Sequence, residues 1–424
     1  MGNPLTWTFL AVLAAATATR LWLAHRQVRH VRAHRNAVPG SFSEAIPLAS
    51  HQKAADYSIA RTGLAGVDLI VEVAALLALT LGGVLQRIAD AWASPLDPGG
   101  LWHGVALMVS VAVLLSALEL PLVAYRTFVI EQRFGFNRMT PALFVADLAR
   151  QAGLALAFGV PLLVLVLWLM AQMGGLWWLY VWIAWMGFNL AILLIYPTFI
   201  APLFNRFTPL EDRTLAARVE ALLARCGFRS NGLFVMDGSR RSTHGNAYFT
   251  GFGAAKRIVF FDTLLSRLAP AEVEAVLAHE LGHYRRHHVW KRIGMLFVVS
   301  LGLLWLLGQL IGKPWFYEGL GVGTRSEAMA LLLFFLVAPV FGFFLHPLTS
   351  LYSRRHEFEA DAYAASHSNA ADLVKALVKL YQDNAATLTP DPLHSAFYDS
   401  HPPAATRVAR LIAQTPQAAV SRAP

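Results

Sequence analysis

The chain has 424 residues, 56% of them hydrophobic and only 14% charged, with a mean hydropathy of +0.48. A soluble chain of this length rarely shows that balance, so membrane spans are expected. The net charge of +9 sits largely in segments between apolar stretches, which makes it a topology signal and gives no ground for a nucleic-acid partner, while the lone Cys226 excludes an intramolecular disulfide.

Seven apolar stretches reach the roughly 20 residues that a bilayer requires of a helix. They lie near 4–24, 63–86, 101–125, 152–172, 176–198, 293–311 and 328–348. The first contains "AAATATR", whose small residues resemble a signal-peptide cleavage site. No positive charge leads it, however, and Arg20 and a basic segment follow, so it reads as a span. "MGNPLT" also fits an N-myristoylation pattern, which an immediate span makes superfluous. Arg26, Arg29, Arg32, Arg35, Lys53 and Arg61 follow span one, and Arg126, Arg133, Arg138 and Arg150 follow span three, so both segments are expected in the cytoplasm. Counting through, residues 199–292 and the chain after span seven face the same side. The expected organisation is a membrane domain over 1–198, a cytoplasmic domain over 199–292, two further spans over 293–348 and a cytoplasmic part over 349–424. Glu119, Asp147 and Asn189, polar residues in or near spans, are candidates to line a wet cavity.

In the first cytoplasmic part stands "PAEVEAVLAHELGHYRRHH". A shuffled chain of this composition would produce H-E-x-x-H at most about three times in a hundred. Pro270 opens the segment, Glu272 and Glu274 fall in its first turn and basic residues close it, the polarity that a helix dipole favours. On that helix His279 and His283 project from one face as candidate zinc ligands, with Glu280 beside them as candidate general base. Arg286 and Val289 stand where a third His pattern on this segment would need Gly and His. His287 would point away from a tetrahedral centre, and "RRHH" reads as a solvated or headgroup-facing basic patch.

A catalytic zinc usually takes three protein ligands and a water. Downstream glutamates are Glu318, Glu327, Glu357 and Glu359. The first two fall on the far side of the bilayer by the charge count. Glu357 and Glu359, in "SRRHEFEADAYAAS", fall on the side of HELGH because two spans intervene. Glu357 shares a helical face with Asp361 at i+4 and Arg354 at i−3, while Glu359 is turned about 200° away. Glu357 is therefore the expected ligand, with Asp361 and Arg354 supporting it and Asp361 able to fix the tautomer of a ligating His. "NAYFTGF" and "RIVFFDTLL", rich in aromatic and β-branched residues around glycines, suggest a β-hairpin with an edge able to capture an extended peptide.

These residues resemble the seven-span zinc metalloproteases of the type I CAAX prenyl protease class. The likeness also includes "FVIEQRFGFNRMTPALFVAD", "IYPTFIAPLFNRFTPL", "SRRSTHGNAYFTGFG", "SRRHEFEAD" and "DNAATLTPDPLHSAFYDSHPP", in order along nearly the whole chain. It implies a mainly α polytopic membrane fold with about seven helices enclosing a chamber, joined to a gluzincin-type protease domain with a small sheet. It implies one Zn2+ on His279, His283 and Glu357, Glu280 as base, and Asn246, Ala247, Tyr248 and Phe249 as an edge strand that pairs with substrate. His401 would lie near the metal opposite the base and donate to the oxyanion, with Arg407 orienting it or the substrate. No chemistry attaches to Glu131 through Arg138, where packing is expected.

The expected activity is zinc-dependent hydrolysis of peptides that are lipid-modified, CAAX prenyl-type, or hydrophobic and membrane-associated, with the bilayer and the substrate as partners. Alanine-rich composition and compact loops suggest a bacterial inner membrane, where a general quality-control protease without a prenyl requirement is the alternative. A non-catalytic transporter or scaffold is the alternative of another class, disfavoured by the intact Glu280, Glu357 and His401.

Overall fold

The computed structural model describes residues 2–250 and 257–414. Among the described residues, seven helical runs are long and apolar enough to cross a membrane: Pro4–Ala33, Leu48–Leu79, Leu101–Glu131, Pro141–Gln172, Gly174–Phe204, His288–Leu310 and Glu327–His367. Several outrun the expected stretches. Span two begins at Leu48 and ends at Leu79, with residues 84–93 forming a separate short helix, and span four begins at Pro141. The reason is that amphipathic turns at a membrane surface continue a helix without raising its hydropathy. At 1.5 Å per residue, a 30-residue first helix is about 45 Å long against a hydrocarbon core of about 30 Å. The extra turns reach beyond the core and carry side chains such as Tyr57 and Arg61.

Span seven runs through residue 348 without a loop, as a helix over Glu327–Gly342, a 3-10 turn and a helix over His346–His367. Its membrane part sits in the middle of the bundle, where Met329, Ala330, Leu331 and Leu333 are buried with Leu107, Leu167 and Leu307 from other spans. Gly104 permits a close approach there, since a Cβ on it would lie 2.9 Å from that of Ala328.

Outside the spans, a four-stranded sheet has the order β1 (Phe207–Pro209), β2 (Leu233–Met236), β4 (Arg257–Phe261), β3 (Ala247–Thr250). β1 and β2 are antiparallel, β2 and β4 parallel, and β3 and β4 antiparallel, with Ala247 opposite Phe260 and Phe249 opposite Ile258. The expected hairpin is thus present, its turn lying outside the described residues. The sheet packs with the helices Arg213–Arg225, Pro270–Arg285 and Ala370–Asp383 around Val219, Leu222, Ile258, Phe260, Leu277 and Leu281.

Candidate metal centre and active site

The helix Pro270–Arg285 carries HELGH, and its charged first turn is anchored rather than solvated. Glu272 accepts from the Ala269 amide at 2.7 Å and from Lys379 at 2.7 Å, and Glu274 receives Arg218 and Arg225. This helix lies along the helix that extends span seven. Gly282 is the reason they can meet. A Cβ at that position would lie 2.9 Å from the Ala360 Cα and 3.0 Å from its carbonyl oxygen.

At that contact three ligand atoms converge. His279 Nε2 is 3.2 Å from His283 Nε2 and 3.5 Å from Glu357 Oε2, and His283 Nε2 is 3.3 Å from Glu357 Oε1. Ligands at about 2.0–2.1 Å on a tetrahedral ion stand roughly 3.3–3.4 Å apart, so the three donors fit the face of such an ion. Glu357 Oε2 is buried without a hydrogen-bond partner, an orphan that a cation would satisfy. Among the described residues these three form a group able to hold a metal ion.

The second nitrogens of both histidines are engaged. His279 Nδ1 lies 2.8 Å from Asp361 Oδ1. Asp361 in turn accepts both Arg407 Nε at 2.8 Å and Arg407 Nη2 at 2.7 Å. Burial works to lower the His279 pKa, but hydrogen bonds to the Asp361 and Glu357 carboxylates outweigh it and push the pKa up to about 9. Arg407 is buried; although its own desolvation works the other way, Asp361 raises its pKa. The guanidinium is therefore committed to Asp361, with Nη1 3.8 Å from Glu357. Arg354 also departs from expectation. Its Nη1 donates to the carbonyls of Ser395 and Asp399 at 3.0 Å each, because those carbonyls at the end of the helix Pro392–Tyr398 lie beside it. It supports the segment leading to His401, not Glu357.

On the His283 side the basic patch reading fails at one residue. Arg285, Arg286 and His287 are exposed, but His288 is buried. The helix breaks at His287, whose φ of 56° is left-handed, and the chain turns so that His288 Nδ1 lies 3.0 Å from His283 Nδ1. His288 Nε2 is 3.2 Å from Glu359 Oε2, and its ring stacks on His356 at 3.9 Å. Were Nε2 of His283 to hold a metal, its Nδ1–H would donate to His288, which would donate to Glu359. Glu359 thus serves the opposite face from Glu357.

Glu280 is half-buried, and desolvation raises its carboxyl pKa, as suits a proton carrier. His401 Nε2 lies 3.4 Å from Glu357 Oε2. β3 is an edge strand, paired only with β4 among the described residues, and it packs beside the HELGH helix. Ala247 and Phe249 turn into the core, and Tyr248 packs edge-on against Phe261 on the other face. What β3 offers a peptide is therefore its backbone. Asn246 uses Oδ1 on the Ala247 amide at 2.8 Å.

A cavity of about 1000 Å3 opens here, lined by Asn246, His401 and Arg407 together with Tyr57 and Arg61 of span two. A second, of about 380 Å3, lies among spans one, two, three and seven, and Arg20 and Tyr398 line both. Asp147 and Asn189 line neither: Asp147 holds Arg241 and Arg150, and Asn189 donates to Trp185 of its own helix. Glu119 is exposed and likewise lines neither.

The Glu131 to Arg138 segment clamps the run that enters β3. Thr243 N donates to Phe136 O at 3.1 Å, Arg138 N to Arg241 O at 3.1 Å, and Phe136 stacks on His244 at 4.7 Å.

The CAAX prenyl protease N-terminal family, described as five membrane helices, matches residues 27–206, and Peptidase family M48 matches 209–415. The CAAX prenyl protease 1 homolog of Arabidopsis thaliana is 36% identical, with 77% of this chain and 76% of that protein aligned. The chain belongs to the CAAX prenyl protease 1 family. The Mus musculus homolog is 30% identical over 95% of each chain. A crystal structure of S. mikatae Ste24p superposes with a TM-score of 0.89 at 29% identity, over 97% of this chain and all of that one. As a member of this family the chain is an integral membrane metalloendopeptidase, which removes the transporter or scaffold reading.

Proposed function

We propose that the chain is a zinc endopeptidase that cuts prenylated CAAX-type peptides at the cytoplasmic surface of its membrane, with His279, His283 and Glu357 as the metal ligands. The observation that carries this is the ligand triangle with edges of 3.2–3.5 Å, its histidines fixed from behind by Asp361 and His288. A zinc ion bound there supplies a water of lowered pKa and a Lewis acid for the scissile carbonyl.

Glu280 takes a proton from the attacking water and delivers it to the leaving amine, and His401 donates to the carbonyl oxygen as it gains charge. β3 aligns the peptide by backbone pairing along its open edge, and Asn246 at its head binds the peptide backbone. The cavity among the spans offers an apolar space beside the scissile region, suited to a lipid tail. The cytoplasmic orientation rests on the Lys and Arg distribution. On this reading 199–292 and 349–424 make the cytoplasmic protease part, and 1–198 and 293–348 the membrane part. The relatives named above are eukaryotic, so the bacterial inner membrane rests on composition alone. They also bear the prenyl protease name, which favours a prenyl substrate over general quality control.

The test compares parent and Glu280→Gln protein on matched peptides with and without farnesyl. We expect the variant to keep about one metal per chain and to lose at least about a thousandfold in turnover. We expect the parent to prefer the farnesylated peptide. Equal cleavage of both peptides by the parent would return the quality-control reading.

A further inference from the structure

Three arginines line the larger cavity: Arg20, Arg61 and Arg407. Two are spoken for. Arg407 is bidentate on Asp361, and Arg20 pairs with Glu72 at 3.1 Å. Arg61 has no carboxylate within ion-pair distance among the described residues, and Asp399 is the only acidic side chain among those lining the cavity. An anion in this cavity would therefore find Arg61 available.

Arg61 is also held in place. Its guanidinium carbon lies over the Tyr57 ring, 5.5 Å from the centroid, a cation–π contact that fixes where the side chain sits. The Tyr57 hydroxyl donates to Glu131 at 2.5 Å. The other oxygen of Glu131 lies 3.7 Å from His244 Nε2, and His244 Nδ1 lies 3.1 Å from Asn384 Oδ1. His244 stands two residues before Asn246, at the head of β3. A chain of side chains thus ties Arg61 to the edge strand, and this gives Glu131 a purpose that its sequence did not disclose.

Position agrees. Arg61 is 18 residues from Leu79, the far end of span two, or roughly 27 Å, which places it near the cytoplasmic limit of the hydrocarbon. A peptide ending in a CAAX box carries its free carboxylate three residues beyond the prenylated cysteine, at most about 10 Å away when extended. A cavity of about 1000 Å3 is also about 10 Å across.

Resting on the prenyl-peptide reading above, we propose that Arg61 is a specificity residue that receives the free C-terminal carboxylate of the peptide held on β3, with Tyr57, Glu131 and His244 as its positioning residues. An Arg–carboxylate pair is bidentate, so the enzyme discriminates a C-terminal acid from an amide.

The experiment uses full-length, metal-loaded protein and four peptides of one sequence, with or without farnesyl and ending in an acid or an amide. For the parent we expect kcat/KM for the acid to exceed that for the amide by on the order of 10- to 100-fold, mostly through KM. Arg61→Gln is expected to bring the acid down to the amide's level while leaving the amide within about twofold, and Arg61→Lys to retain part of the preference. Equal use of acid and amide by the parent overturns the proposal without any variant, and so does an equal loss on both peptides in Arg61→Gln protein of normal metal content. Loss of the farnesyl preference with the acid preference intact would instead strike the prenyl reading, because the two ratios are read separately.

Discussion

Spans five and seven are both apolar, with mean hydropathies of 1.8 and 2.6, yet they occupy opposite situations. Only 6% of the span five window is buried inside the protein, against 56% for span seven. Span five turns most of its surface outward, and Leu194 and Phe199 are exposed on it. Span seven is packed on several sides, and its extension carries Glu357 and Asp361 toward the HELGH helix and Glu359 toward His288. Hydropathy finds both spans but measures only transfer to an apolar surrounding, and a lipid tail and a neighbouring Leu are equally apolar. The centrally packed span is the better platform for holding a carboxylate in place, because more of its surface is fixed by neighbouring helices.

The sharpest way to break this comparison is at the ligand itself. Glu357→Gln, at the end of span seven, is expected to remove most bound metal and with it measurable turnover, read by elemental analysis and peptide cleavage; full metal occupancy would remove Glu357 from the ligand set. Next come the spans. Leu331→Ala, in the centre of span seven, is expected to cost about 2–5 kcal/mol by denaturation in detergent, whereas Leu194→Ala on span five should stay within about 0.5 kcal/mol. Comparable losses would mean that the two spans are not differently packed. Gly282→Ala forces a Cβ against the Ala360 backbone and should cost about 1–3 kcal/mol, with weaker metal retention from the widened helix contact. Last is His288→Phe, which acts on metal affinity alone: it keeps the ring against His356 but removes the acceptor behind His283. Zinc affinity should fall about 10- to 100-fold in competition with a chelator, and an unchanged affinity would make His288 a packing residue only.

Much of the site was legible in the residues themselves. HELGH declared its pair of histidines through the helical period, and the choice of Glu357 over Glu318 and Glu327 followed from counting spans. Choosing it over Glu359 followed from the face shared with Asp361. His288 was not legible. Its approach to His283 needs a helix break at His287, a non-glycine residue in a left-handed conformation that nothing local announces. Arg354 was assigned by closeness in sequence to the wrong neighbour, and the pairing of Arg407 with Asp361 was not foreseen, because the donors of a long flexible side chain are settled by what packs beside it. The alternation in β3 did not say which edge would be open, since edge position depends on the order of strands from separate parts of the chain.

Residue order alone is enough to say that the chain crosses a membrane several times, that two imidazoles and a carboxylate fall on one side of it, and that these suit a metal. Those are properties of period, length and charge, which are local. Which span is central, how His288, Asp361 and Arg407 brace the two histidines and Glu357, and that Arg61 faces the same cavity as Asn246 emerge only in the folded molecule. These depend on contacts between segments tens to hundreds of residues apart, and no window along the chain contains both partners.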